Sequence, residues 1–107
     1  MNPLEFDEIV DETLIQIEDV IEDLDAEIDY DTVSGILTLE FLDHSKIIIN
    51  RQIATLQLWV AAKSGGFHFD YKDNQWLDDR DSKTLQQKLS ELVSEQAGKT
   101  LIIDLKE

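Results

Sequence analysis

Residues 1–31 hold thirteen Asp and Glu side chains and no Lys or Arg, so any structure they adopt must be driven by burial against their own repulsion. Threaded between the acids, Phe6, Val10, Thr13, Ile17, Val20, Ile21 and Leu24 recur every three or four residues, the spacing that gathers side chains on one face of an α-helix. Asn2 suits the N-cap, Pro3 the first helical position, and Glu5 completes a capping box. The far end is poorly marked. After Leu24 the pattern dissolves into the alternating acids Asp25, Glu27, Asp29 and Asp31, where the negative end of a helix dipole would favour Lys or Arg. The sequence predicts a mobile acidic loop there.

Four like-charged pairs at i and i+4, Asp7–Asp11, Glu8–Glu12, Glu18–Glu22 and Asp19–Asp23, each cost about 0.2–0.5 kcal/mol, or about 1–2 kcal/mol together. Full burial of Ile17, Ile21 or Leu24 is worth about 1.5–3 kcal/mol each. Packing therefore prevails, and the repulsion persists as strain that a bound cation would relieve.

The 107-residue length suits one domain spanning 1–107. Its formal charge of −15 is unevenly placed: fifteen acids and no base occur through Asp43, after which nine acids balance nine bases. An acidic pole of this kind disfavours nucleic acid and anionic membrane and attracts cations or a basic protein surface. The plainer reading is a solvated, solubilising helix face. Without cysteine there is no disulfide or thiolate metal site. With no membrane-length apolar run and no signal-like N-terminus, the chain is expected in the cytoplasm.

Beyond the acidic stretch, short segments alternate with period two between turn residues: Leu37–Phe41, Lys46–Asn50, Leu56–Ala61, Phe67–Tyr71 and Gln75–Leu77. Lys63–Gly66 reads as one turn and Asp73–Asn74 as another. A second helix follows, capped by Asp81 or Ser82, with Leu85, Leu89, Leu92, Val93 and Ala97 as its apolar stripe and Gly98 as its stop. The tail Leu101–Leu105 would pack in a groove near the helices or add a short strand. The expected fold is α+β, a two-layer sandwich with two helices on one face of an antiparallel sheet.

With Leu37, Leu39, Ile47, Ile49, Leu58, Val60, Phe67 and Phe69 facing the helices, the other face carries Thr38, Glu40, Ile48, Asn50, Gln57, Trp59, His68 and Asp70. A Trp on an open sheet face is a candidate partner anchor, or an ordinary half-covered surface Trp. Catalytic candidates are thin: there is no Cys and no Gly-x-Ser-x-Gly, and His44 and His68 lie on different segments. An EF-hand loop beginning at Asp23 fails, because Ile28 stands where Gly is required and Ser34 where Glu is required. Exposed carboxylates on a helix face and a loop suggest instead shallow sites for hard cations that keep water ligands.

At residues 50–71, Asn-Arg-Gln followed by Gln-Leu-Trp-Val-Ala at 57–61 and Gly-Gly-Phe-His-Phe at 65–69 resemble the signature of the frataxin family, in its bacterial branch. The likeness extends over the chain, from the acidic first helix to the Gln-Ala-Gly at 96–98. It departs from the family pattern at Ala54, where a Pro is usual. The resemblance implies iron binding, ferrous or ferric, in iron–sulfur cluster assembly, with a cysteine desulfurase and its scaffold as partners. It places iron ligands at Glu18, Asp19, Glu22, Asp23, Asp25, Glu27, Asp29 and Asp31, and partner contacts at Asn50, Gln57, Trp59 and His68. It implies a monomer, with metal-induced oligomers as an alternative. Two rival readings use the same acids: a weak ferroxidase or iron store, and a purely electrostatic interaction module.

Overall fold

The computed structural model describes residues 1–105; Lys106 and Glu107, counted in the charge balance, lie outside the described residues. Asn2 does cap the first helix, α1 (Pro3–Leu24), its side chain accepting from the Glu5 amide at 2.8 Å. The helix ends where Asp25 turns left-handed. Six strands follow, β1 (Asp29–Val33), β2 (Ile36–Glu40), β3 (Lys46–Gln52), β4 (Gln57–Ala62), β5 (Gly65–Lys72) and β6 (Gln75–Asp78), and then α2 (Leu85–Ala97). Short turns force each strand back along its predecessor, so the sheet is antiparallel in the order β1-β2-β3-β4-β5-β6. Ser34–Gly35 and Asp73–Asn74 both have positive φ at their two central positions, the turn geometry that matches the twist of a two-residue hairpin.

Alternation along the strands sends Leu37, Leu39, Ile47, Ile49, Leu58, Val60 and Phe69 into one core with Phe6, Val10, Leu14, Ile17 and Ile21 of α1 and Leu85, Leu89, Leu92 and Val93 of α2. The two-layer α+β sandwich is as the sequence predicts. Thr13, in the apolar stripe of α1, is buried because its hydroxyl donates to the Ile9 carbonyl (2.8 Å) and accepts from the Trp76 indole (3.0 Å).

Two ionic contacts, invisible to periodicity, fasten the helices. Arg51 points to the helix side of β3 and donates to Asp7 (2.9 Å) and Asp11 (2.7 Å), with only 16% of its side chain exposed. Burial opposes its charge, but the two carboxylates outweigh burial and raise its pKa. Gly35 has positive φ, which favours glycine, and a Cβ there would lie 3.2 Å from the Arg51 guanidinium, close enough to push it by a few tenths of an ångström. On α2, buried Lys88 reaches Asp81 (2.8 Å) and the buried Asp78 (3.4 Å), and lies 4.9 Å from the centre of the Phe67 ring. Desolvation acts against the Lys88 charge, yet its carboxylate partners raise its pKa, while Lys88 and the Lys83 amide lower that of Asp81.

Several boundaries differ from expectation, each for a local reason. Asp29–Val33 is an edge strand rather than a loop, paired in register with β2. Exposed along its whole length, it lacks the half-buried alternation by which strands are recognised. The cap of α2 is Thr84, not Asp81 or Ser82, because Thr84 and Gln87 form a reciprocal capping box while Asp81 is engaged by Lys88. The Lys63–Gly66 turn is shorter than expected, since Gly65 and Gly66 already pair with Ala62 and Ala61. Leu14 replaces Val20 and Leu24 in the fully buried stripe, and Phe67 is half-buried. The tail adds no strand. Instead the amides of Leu101, Ile103 and Leu105 donate to Ser94, Ser90 and Gln86, one helical turn apart on α2, each at 2.9 Å, with Ile103 buried. Of the four repulsive pairs in α1, Asp7–Asp11 is bridged by Arg51, so that pair stabilises.

Arg51→Ala is expected to cost about 2 kcal/mol in urea denaturation, the range for charge-assisted hydrogen bonds, and Asp7→Asn with Asp11→Asn should cost nothing further in that background. A loss under about 0.5 kcal/mol would show the contact to be incidental. Lys88→Met should destabilise most near neutral pH, because Asp78 is left buried without its counter-charge. Asp81, held low when folded, contributes stability that is lost as pH falls through its folded pKa. Lys88, held high, contributes stability that is lost as pH rises through its own. The stability gap between the two proteins should therefore narrow at both extremes; a gap independent of pH would contradict the ionic account.

Candidate functional site

The acids that the family resemblance points to are distributed over two elements and two directions. Register places Tyr30 and Thr32 opposite Leu39 and Leu37, on the helix side of β1, where the Tyr30 hydroxyl donates to Glu22 (3.0 Å) and the Thr32 hydroxyl donates to Glu18. The hydrogen bond to Glu22 is the main reason that the Tyr30 pKa is raised, its charge the next. The same alternation turns Asp29 and Asp31 to the open face, where Asp29 is directly across from Glu40. Asp19 and Asp23, one turn apart on α1, instead line a shallow groove with Val20, Leu24, Ile102 and Asp104. Asp25 and Glu27 occupy the connection to β1, both with positive φ. Among the described residues, no group of three or more His, Cys, Asp or Glu side chains is arranged to hold a metal ion. What the acids form is a band along α1 and β1 whose only basic partner among the described residues is Arg51, at the far end of the helix.

The open face is more tightly organised. Asn50, Trp59 and His68 stand in one cross-strand row, with Gln57 and Asp70 paired in the neighbouring row. Trp59 stacks on His68 with ring centres 4.4 Å apart and planes 18° from parallel. The indole N–H donates to Gln57 (3.2 Å), whose amide donates to Asp70 (3.2 Å) and Asp79 (3.3 Å), and Asp79 lies 3.9 Å from the His68 ring nitrogen. Gln57, Trp59 and His68 thus belong to one closed ring of contacts. Asn50 sits beside it and turns its side-chain oxygen back to the Arg51 amide at 2.8 Å. Trp59 remains 38% exposed, as expected of an outward anchor.

Asp79 is the member of this ring that periodicity misses. It lies just past β6, and its place is fixed by its amide donating to the His68 carbonyl at 2.9 Å. The Asp78–Asp79 doublet is visible in the sequence, but only the sheet register shows that one acid is buried under α2 and the next is beside His68. His44, by contrast, is an exposed turn residue 3.4 Å from Glu40 and outside both surfaces.

Residues 1–99 match the frataxin-like domain family. The chain is 43% identical over 97 residues to the iron-sulfur cluster assembly protein CyaY of Pseudoalteromonas atlantica, covering 91% of this chain and 90% of that one. Among solved structures it superposes on the frataxin of Psychromonas ingrahamii with a TM-score of 0.90 and 38% identity, over 97% of this chain and 99% of that one. It also superposes on the trimeric frataxin of the yeast Saccharomyces cerevisiae complexed with ferrous iron, with a TM-score of 0.75 and 30% identity, over 85% and 87% of the two chains.

Trp59→Ala should change stability by no more than about 0.5 kcal/mol, as surface substitutions do, whereas Trp76→Ala should cost about 3–5 kcal/mol. Comparable losses at the two positions, read from denaturant midpoints, would mean that the ring around Trp59 is part of the fold's foundation.

Proposed function

The chain belongs to the frataxin-like family, and from that premise we propose that it is a non-catalytic iron-binding protein of iron–sulfur cluster assembly, acting as an iron-dependent regulator of the cysteine desulfurase or as an iron supplier. The observation that carries this reading is the acidic band of α1 and β1, whose only basic partner among the described residues is Arg51. Glu18, Asp19, Glu22, Asp23, Asp25, Glu27, Asp29 and Asp31 would take ferrous or ferric iron weakly, in open sites that keep water ligands. Support comes from the assembly role in the names of its relatives and from the ferrous complex of the yeast protein. The desulfurase and its scaffold would meet the protein through that band and through Asn50, Gln57, Trp59 and His68. It would work as one domain over residues 1–107 in the bacterial cytoplasm; no described helix is long and apolar enough to cross a membrane. A monomer is the working form, and the trimeric yeast relative makes metal-driven assembly worth testing.

A second reading has its own support. Glu18 and Glu22 already accept hydrogen bonds from β1, and no three-donor cluster exists among the described residues, which suits acids that only meet a basic protein. Partner binding that is insensitive to chelators and falls steeply with salt would select it. Catalytic oxygen consumption with ferrous iron would select the ferroxidase rival. The direct test is cluster assembly by purified desulfurase and scaffold, with and without this protein, across iron concentrations; an effect that does not change with iron would remove the iron-dependent role.

Metal should also stabilise the fold, by about 2.7 kcal/mol at a hundredfold excess over the dissociation constant. Glu22→Gln with Asp23→Asn relieves two repulsive pairs, so it should raise the melting temperature of the metal-free protein and abolish most of the gain from metal. If that gain survives, the ligands lie elsewhere.

A further inference from the structure

The open face carries two carboxylates that no Lys or Arg among the described residues answers. Asp70 and Asp79 both accept from the Gln57 amide nitrogen, at 3.2 and 3.3 Å, so their oxygens converge on one point. Among the described residues no Lys or Arg lies within ion-pair distance of either; Asp79 has only the His68 ring, at 3.9 Å. Arg80, the next residue along, turns away to the Gly66 carbonyl (2.9 Å) and over the Phe67 ring (5.2 Å). Lys72 follows Asp70 by two residues on the same strand and makes no ion pair among the described residues. Beside the carboxylates stands the Trp59–His68 stack, and Trp59 is 38% exposed. The contacts from Trp59 to Gln57, Gln57 to Asp79 and Asp79 to His68 hold the whole arrangement in place before any partner arrives.

We infer that this ring is a receptor for an arginine side chain of a protein partner. The chemistry selects arginine over lysine. A guanidinium is flat, lies against aromatic rings, and carries a fork of N–H donors that serves two carboxylates at once, whereas an ammonium is a compact and strongly hydrated point charge. The Gln57 amide engages Asp70 Oδ1 and Asp79 Oδ2, and the second oxygen of each carboxylate, Asp70 Oδ2 and Asp79 Oδ1, receives those donors beside it. A rigid, prepaid site of this kind loses little freedom on binding. This inference rests on the proposed use of the open face by partners and gives that contact a chemical identity.

The probes are N-acetyl-arginine amide, N-acetyl-lysine amide and N-acetyl-citrulline amide, the last having the shape of arginine without its charge. NMR titration should show the Trp59 indole N–H and the Gln57 side-chain amide shifting with the arginine compound in the millimolar range, several-fold less with lysine, and not with citrulline. Asp70→Asn and Asp79→Asn should each weaken the arginine response about tenfold, the loss of one charge-assisted contact, with the melting temperature unchanged. Equal responses to arginine and lysine, or shifts confined to the acids of α1, would overturn the inference. So would an arginine response that both substitutions leave intact. Failure here is separable from failure of the assembly reading: Trp59→Ala that weakens desulfurase or scaffold binding without any arginine preference removes the receptor alone. An arginine response accompanied by no effect on cluster assembly removes the assembly role alone.

Discussion

The fold depends on how its acidic helix is held against the sheet: its apolar stripe is buried in the core, and its ionic anchor among the described residues is Arg51. It converts the repulsive pair Asp7–Asp11 into a two-pronged attachment between α1 and β3. Position 35 packs closely against this anchor: its positive φ favours glycine, and a Cβ there would lie 3.2 Å from the guanidinium and displace it by a few tenths of an ångström. That end of α1 is also the end whose cap and apolar stripe are best formed, with Phe6 and Val10 fully buried. Toward Leu24 the situation reverses. Val20 and Leu24 are only half-buried, the helix closes on Asp25 in a left-handed conformation, and among the described residues the acids there find hydroxyls, not cations. One helix therefore has a neutralised end that serves the fold and a charged end that, among the described residues, forms no ion pair.

The two ends of the protein's chemistry are separated in the same way across the sheet. The helix side of β1 spends its Tyr and Thr hydroxyls on α1, and the opposite side presents bare Asp29 and Asp31. Across the open face, near β6, charge is answered by geometry instead: the carboxylates of Asp70 and Asp79 orient an amide, which orients an indole. An acidic band tolerates variety in what it attracts. A locked ring of Trp, His, Gln and Asp is more selective, and this difference is the physical basis for proposing loose cation capture at one surface and specific partner contact at the other.

Much of this was legible in the sequence. The cap at Asn2, the stripe through Phe6, Val10 and Ile17, and the inward and outward faces of β2 to β5 all follow from period and turn chemistry. Alternation puts Trp59 on the open face because Leu58 and Val60 are inside, and His68 on the same face because Phe69 is inside on β5. What escaped were elements whose cues are not periodic. β1 is exposed on every residue, so nothing alternates. Lys88 sits within the apolar stripe of α2, where sequence reasoning expects no charge, and only Asp78 and Asp81 explain it. Arg51 is separated from Asp7 by forty-four positions, and a contact at that distance becomes visible only with the register of β3. For the tail, pattern leaves packing near the helices and an added strand both open; the serines and glutamine one turn apart on α2 decide for the helix by accepting its amides.

The central claim is that α1 is fastened at its Arg51 end and left electrostatically strained at the other, where a cation can relieve it. Native-state hydrogen exchange along this one helix tests that most directly. Without metal, the amides around Val10 to Leu14 should be strongly protected and those from Asp19 to Leu24 much less so, and a divalent cation should raise protection in the second group while leaving α2 unchanged. Uniform protection along α1, or a cation effect spread evenly over both helices, would contradict it.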